Sequence, residues 1–591
     1  MQNSLQMLYW HLHVRNNYKD WLMDFKTNIA NALSVAAELE YDAVYPLIET
    51  PPNSEMGDYA FPCFTLARTL RKAPPVIAAE ISGKLELPHG IERIEVKGAY
   101  INFFTDKCAL ASETVSDVIR KGQDYGKSDM GGGRNVCLDY SSINIAKPFH
   151  IGHLSTTVIG NALSRIYKHL GYNTVSINHL GDWGTQFGKL IVAYKLWGDE
   201  AAVNEKSVME LLRLYVKYHE EAEQHPEMDD EARAWFKKIE DGDGEALSLF
   251  NWFKELTLAS ANKVYDMLGV KFDSYAGESF YTPFMPATVD ELRKKNLLTV
   301  DDGASIVDLS EYNMPPCLIL KSDGATLYAT RDITTAIYRK NTYDFCKLLY
   351  VVAYQQDLHF KQFFKVLELM GYDWVKDCEH VNYGMVSLED GAMSTRKGKY
   401  ILLEDVLNAA ISKAKEIITE KNPSLEKKDE VARQVGVGAV VWSPLYNNRI
   451  KDIVFSLDKV LNFEGETAPY AQYTHARCCS LLKKAGVFGK EAELLDALDT
   501  EPITSSNAVE LIKSISALPD SIKQAADKNE PYIIARRVTD ICGKFNKFYT
   551  ESRIIGESEN VMRSRLALVA ATAKAVSVGL YLLGVEAPEQ M

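Results

Sequence analysis

Two imidazoles three residues apart, His150 and His153, with Gly152 between them, are the side chains best placed to do chemistry in this chain. They follow a polar loop, Ser141 to Pro148, and precede a run in which Leu154, Val158, Ile166 and Leu170 recur at roughly helical spacing. A helix N-terminus there offers backbone N–H groups and the positive end of the helix dipole, which favour an anion. Gly152 leaves no side chain in the way of a flat ring such as adenine. The loop is not a glycine-rich phosphate cradle, so the imidazoles themselves would make the hydrogen bonds. Taken alone, the four residues His150-Ile151-Gly152-His153 fit a structural pair as well as a catalytic one.

The flanking elements give the motif its setting. Val136 to Tyr140 reads as a strand ahead of the loop, Gly171 falls at a helix C-cap, and Asn173 to Asn178 reads as the next strand. Strand, loop, helix and strand make the first unit of a parallel α/β sheet, whose ligands gather beyond the carboxyl ends of the strands. A buried strand over Lys347 to Ala353 precedes a helix whose core face is Phe360, Phe363, Phe364, Leu367 and Met370. This alternation predicts an α/β, Rossmann-type doubly wound parallel sheet.

At 591 residues the chain is too long for one core and predicts three or four domains. With 46% hydrophobic and 25% charged residues, its composition is that of an ordinary globular protein. A net charge of −14 argues against a nucleic-acid partner unless Lys and Arg gather locally. Nine scattered cysteines without a C-x-x-C fit reduced thiols in a cytoplasmic setting and predict neither a zinc site nor another protein-bound metal. Leu566 to Val585 is apolar but contains Lys574, Thr572 and Ser577, and is expected to be a packed helix rather than a membrane span.

Asp139 to His153 (D-Y-S-S-I-N-I-A-K-P-F-H-I-G-H) and Asn178 to Gly188 (N-H-L-G-D-W-G-T-Q-F-G) together closely resemble the catalytic core of the arginyl-tRNA synthetases, a class I aminoacyl-tRNA synthetase family. The resemblance extends from about Met23 to Met591. It implies a ligase that activates L-arginine with ATP, with Mg²⁺ accompanying the nucleotide, and transfers the arginine to the terminal adenosine of tRNA(Arg). It also implies a cytoplasmic protein with no membrane partner, and a monomer is expected. Two other classes compete: a nucleotidyltransferase of the H-x-G-H type that makes a small product without RNA, and a silent tRNA-binding paralogue.

The resemblance assigns residues. His150, Gly152 and His153 would face ATP. The second class I signature, K-M-S-K-S, is degenerate over Ala392 to Lys399: alanine stands at 392 and Thr395 replaces the second lysine. Met393, Ser394, Arg396 and Lys397 remain as nucleotide contacts, and Lys147 is expected to supply the missing cation as a catalytic residue. A guanidinium calls for carboxylates paired bidentately, and Asp139 and Asp332 match the family's positions. Tyr328, four residues before Asp332, shares its helix face. Ser142, Asn144, His150 and Gln356 complete the expected arginine contacts. Tyr100 and Asn102 are expected at the tRNA elbow, and Tyr470, Tyr473, Arg477 and Met591 at the anticodon.

The expected organisation is an N-terminal extension (1–22), a small α/β elbow-binding domain (23–128), the catalytic domain with a helical insertion (129–455) and an all-helical anticodon-binding domain (456–591).

Overall fold

The computed structural model describes residues 25–51, 56–388, 401–496 and 498–591. The expected extension, and the nucleotide contacts expected of Met393, Ser394, Arg396 and Lys397, lie outside the described residues. The chain forms two compact units. One takes residues up to 125 with 478–517 and 543–575; the other takes 126–477, 518–542 and 576–591. The helices after residue 456 are therefore divided between the two.

In the first unit, strands β1 (Tyr59–Pro62), β2 (Ile91–Lys97) and β3 (Tyr100–Thr105) form an antiparallel sheet with β3 in the middle. Ile101 and Phe103 are fully buried on this central strand. The helix Lys107–Lys121 follows at once, its N-terminus capped by the Asp106 carboxylate, which accepts from the Ala109 N–H at 2.7 Å. Asn102 stands on β3 between Ala60 and Glu95 of the flanking strands and is 2% exposed. Tyr100 is half-buried, with Phe64 edge-on at 5.4 Å.

The second unit is built on a four-stranded, fully parallel sheet in the order β10 (Cys378–His380), β9 (Lys347–Tyr350), β4 (Asn135–Asp139), β5 (Asn173–Ile177). Val136, Cys137 and Leu138 are completely buried, as expected for a strand covered on both faces. From β4 the chain crosses to β5 on one side, and β9 pairs on the other. The gap at the carboxyl end of β4 is thus a topological switch point, where ligands bind in such sheets. The crossover helix Leu154–His169 packs so closely that a Cβ on Gly160 would lie 2.2 Å from the Tyr140 ring.

Five helices between Thr185 and Leu268 make the insertion. A small antiparallel sheet, β6 (Thr299–Asp301), β7 (Ala304–Val307) and β8 (Cys317–Leu320), leads into the helix Tyr328–Tyr343. Two short parallel strands, β11 (Val386–Leu388) and β12 (Ile453–Phe455), bracket the helices Leu403–Lys421 and Lys428–Leu445. Among the described residues one helix, Glu559–Leu582, is long and apolar enough to cross a membrane. Its apolar window is 78% buried within the protein, as in a core helix.

Candidate active site

A cavity of about 540 Å³ opens at the carboxyl ends of β4 and β9. Its volume suits a small-molecule site. The loop leaving β4 forms one wall and takes an unusual path: Ser141, Ser142 and Ala146 all have positive φ, at 68°, 45° and 62°. Such conformations are unfavourable for residues with a Cβ and persist only where neighbours enforce them. Here the Ser141 N–H donates to Thr156 Oγ1 at 2.9 Å, its hydroxyl meets Tyr265 at 2.8 Å, and the Ala146 N–H donates to Thr257 Oγ1 at 3.1 Å. Ile143 and Ile145 exchange backbone bonds with Gly181 at 2.9 and 3.1 Å. A Cβ on Gly181 would lie 2.3 Å from the Asn144 amide oxygen, so a side chain there would displace that amide. The paired loops leave Asn144 exposed on the cavity wall.

His150 and His153 open the helix as a reciprocal cap. The Gly152 N–H donates to His150 Nδ1 at 3.1 Å, the His150 N–H reaches His153 Nδ1 at 3.3 Å, and the ring centroids stand 4.1 Å apart. The Gly152 N–H makes His150 Nδ1 an acceptor, so that neutral ring bears its hydrogen on Nε2, whereas His153 Nδ1 lies 3.3 Å from both the N–H and the carbonyl of His150. Burial, and then the charge of Lys147, push His150 down to about 4. Burial, and then the neighbouring His150, push His153 down to about 3. Both rings are neutral at physiological pH. His153 lines the cavity; His150 and Lys147 stand just outside its lining. The chain just after residue 400 is fastened here too: the Ile151 N–H donates to the Ile401 carbonyl at 3.1 Å and the Leu403 N–H to that of Phe149 at 3.0 Å.

The opposite end is rich in carboxylates. Tyr328 and Asp332 both line the cavity from the first turns of the helix Tyr328–Tyr343, as their spacing predicts. Tyr328 is 70% exposed, and Asp332 Oδ2 lies 2.6 Å from His359 Nε2. Gln356 lines the cavity from the N-cap of the helix Asp357–Leu369. Asp139 is placed differently from the expectation of an open guanidinium partner. Its Oδ2 pairs with Arg339 at 2.7 Å, both side chains buried, and its Oδ1 accepts the Ser142 hydroxyl at 2.7 Å. Asp139 therefore reaches the cavity as half of an internal ion pair, and Ser142 faces Asp139 as well as the cavity.

Sequence reading missed five residues of this wall or its support: Glu278, Arg331, Arg339, His359 and His179. Glu278 pairs with Arg331 at 3.1 Å, yet burial outweighs that cation and raises its carboxyl to about 7. His179 is lowered by burial, with Nδ1 3.3 Å from the Ala276 carbonyl. The H-L-G-D segment carried a signal for this region. Its Asp182, fully buried, pairs with Lys254 at 2.5 Å and accepts from the Ser279 N–H and hydroxyl at 2.8 and 2.7 Å, which fixes the turn bearing Glu278.

The expected anticodon residues share a helix, Ala468–Lys484. Tyr470, Tyr473 and Arg477 follow at intervals of three and four, on one face. Tyr473 is exposed, with the Arg477 guanidinium 4.8 Å from its ring centre. The opposite face is anchored: Gln472 donates to the carbonyls of Gln434 and Glu586 at 3.0 and 2.8 Å, and His475 Nδ1 meets that of Pro588 at 2.9 Å. The Met591 carbonyl accepts from Asn422 at 3.2 Å.

Residues 114–457 match the family model described as tRNA synthetases class I (R), catalytic domain. Residues 471–591 match the DALR anticodon binding domain, and residues 23–105 the arginyl tRNA synthetase N terminal domain. The chain is 52% identical over 571 residues to the arginine–tRNA ligase of Alkaliphilus metalliredigens, covering 96% of this chain and 100% of that one.

This chain belongs to the arginyl-tRNA synthetase family.

The arginine–tRNA ligase of Clostridioides difficile is likewise 52% identical, with the same coverage. The Thermus thermophilus arginyl-tRNA synthetase structure superposes with a TM-score of 0.80 at 25% identity, covering 95% of this chain and 99% of that one. The Plasmodium falciparum arginyl-tRNA synthetase shares the fold, with a TM-score of 0.77 at 23% identity, 96% of this chain and 99% of that one. The family fixes the architecture: a class I parallel-sheet domain, a separate N-terminal domain and a helical C-terminal domain. It also gives a net charge of −14 its context, since aromatic and arginine side chains on one helix face can serve single-stranded bases locally.

Proposed function

We propose that this chain is an arginine–tRNA ligase whose chemistry takes place in the cavity between the two histidines and the carboxylate wall. A carboxylate oxygen of arginine attacks the α-phosphorus of ATP, and the bond to the bridging oxygen breaks to release pyrophosphate. A hydroxyl of the terminal adenosine of tRNA then attacks the activated carbonyl, and AMP leaves. Little covalent work falls to the protein, which aligns the groups and offsets developing charge. The ring N–H groups of His150 and His153 donate to phosphate oxygens as negative charge grows on the leaving group. Lys147, close enough to depress both rings electrostatically, supplies the cation that Ala392 and Thr395 do not. ATP would enter as its Mg²⁺ complex, the ion supplying positive charge to the triphosphate.

At the other end Asp332 receives the guanidinium and Tyr328 flanks it, with Glu278 beside them. Asn144 and Gln356 hold the α-amino and carboxylate groups. Tyr473 and Arg477 stack on anticodon bases, Tyr470 and Met591 stand near them, and Tyr100 meets the tRNA elbow. The reading includes a monomer in the cytoplasm, a setting its nine free thiols suit. The observation that carries it is a cavity with the neutral ring of His153 at one end and an aromatic-flanked carboxylate at the other. Charging of tRNA(Arg) with radiolabelled arginine tests it. Charging that lysine matches at equal concentration, or that needs no ATP, overturns it.

A further inference from the structure

We propose that Thr257, on the insertion helix Gly244–Leu268, is the positioning residue of Lys147: its hydroxyl holds the Ala146 peptide in a left-handed turn and so aims the lysine that follows at the triphosphate. The inference rests on the reading of Lys147 as the cation of adenylate formation.

Ala146 has a φ of 62°, a region that a residue with a Cβ enters only where its neighbours enforce it. It is also buried, so its N–H has to find an acceptor inside the protein. Thr257 Oγ1 supplies one at 3.1 Å. That hydroxyl gives its own hydrogen to the Phe253 carbonyl, one turn earlier on the helix, at 2.8 Å. Its proton is thereby committed, its rotamer is fixed, and a lone pair is left facing Ala146. Thr257 is 2% exposed, so water does not compete for that lone pair. The backbone anchors that follow are weaker. The Lys147 N–H reaches the Asn144 carbonyl only at 3.4 Å, and Pro148 has no N–H to offer. The peptide joining 146 to 147 decides the direction in which the lysine side chain leaves the backbone. Without the Thr257 acceptor, Ala146 is free to relax toward negative φ and to turn that direction with it.

Thr257 does not act from an isolated position. Lys254, three residues before it, and Tyr265, eight after it, share its side of the helix. Lys254 pairs with Asp182 at 2.5 Å. The Tyr265 hydroxyl meets that of Ser141 at 2.8 Å and accepts from the Asn178 amide at 2.9 Å. The Phe149 ring, next to His150, lies against the Tyr265 ring with centroids 5.1 Å apart. One helix of the insertion thus backs the signature loop at its start, at Ala146 and at its end. The middle of the loop is fastened elsewhere: Ile143 and Ile145 exchange backbone bonds with Gly181, which keeps Asn144 on the cavity wall whatever happens at Thr257. Loss of the Thr257 bond should therefore displace the cation and leave the arginine contacts undisturbed.

The rate of pyrophosphate release on mixing the full chain with ATP, L-arginine and tRNA(Arg) tests this, and titration calorimetry of L-arginine gives its Kd and the folded fraction. Thr257→Val and Thr257→Ala both remove the acceptor. Each should lower kcat per folded site by about 10- to 50-fold, while the Kd for arginine stays within about threefold. Thr257→Ser keeps the acceptor and should stay within about threefold of the unaltered rate. In a Lys147→Ala protein the cation is already gone, so adding Thr257→Val should slow the reaction by less than about twofold more. Near-normal kcat in Thr257→Val and Thr257→Ala overturns the proposal, as does a Thr257→Ser protein as slow as Thr257→Val. An equal loss from Thr257→Val with and without Lys147 overturns it too, since the damage would then bypass the lysine. Lys147→Ala is the control on the underlying reading: a normal rate there removes the cation assignment and this role of Thr257 with it, whereas a slow Lys147→Ala beside a normal Thr257→Val removes the role of Thr257 alone.

Discussion

At the histidine end of the cavity the two rings carry no charge: His150 and His153 are half-buried and neutral, beside the cation of Lys147. At the arginine end charge is abundant but matched in pairs, Asp139 with Arg339 and Glu278 with Arg331, and Asp332 alone has an imidazole for a partner. The difference follows from what each end has to receive. A phosphate whose charge grows during the reaction is served by fixed dipoles that cost no reorganisation at that moment. A guanidinium carries its charge throughout, so the wall must hold the opposite charge beforehand and keep it from collapsing onto an internal cation.

The largest effect should come from the cation at the histidine end. Lys147→Ala is expected to lower kcat of adenylate formation by about 10²–10³-fold, equivalent to about 3–4 kcal/mol. The KM values for ATP and arginine should move much less, since the interaction belongs to the transition state. Adding Thr395→Lys should restore part of the rate; near-normal kcat in the single variant removes Lys147 from the mechanism.

At the other end the loss should appear in binding. Asp332→Ala is expected to raise KM for arginine about 100-fold, or about 2.7 kcal/mol, while KM for ATP stays within about threefold. Equal damage to both constants would make Asp332 a structural residue and erase the division of labour between the two ends.

A smaller effect is expected away from the cavity. Tyr473→Ala and Arg477→Ala should each raise KM for tRNA about tenfold, within the 1–3 kcal/mol of a lost stacking contact. Arginine binding measured by calorimetry should not change.

The smallest concerns stability. The Glu278 carboxyl is raised above its unfolded value, so the stability it contributes is complete below about pH 4.5 and is lost as pH rises through about 7. Glu278→Gln should therefore unfold at higher denaturant than the unaltered chain at pH 8, by about 1–3 kcal/mol, and match it at pH 4.5. A variant that is less stable at pH 8 would mean that the Arg331 pairing outweighs burial after all.

The histidine end was legible in the sequence because it is local. His150 and His153 lie three residues apart, their strand and helix are contiguous, and Tyr328 and Asp332 share one helix face. The pairings at the arginine end were not legible. Asp139 and Arg339 come from elements 200 residues apart, and Asp332 and His359 from separate helices 27 residues apart. No spacing rule connects them. Nor does a run of helices announce that it will be shared between two compact units, as the one after residue 456 is.

The strand-like pairing of 401–403 with 149–151 couples two elements that the sequence keeps 250 residues apart. The turn that bears His150 is thereby tied to the start of the helix Leu403–Lys421, and a displacement of that helix would reach the imidazole through two backbone hydrogen bonds rather than through any side chain.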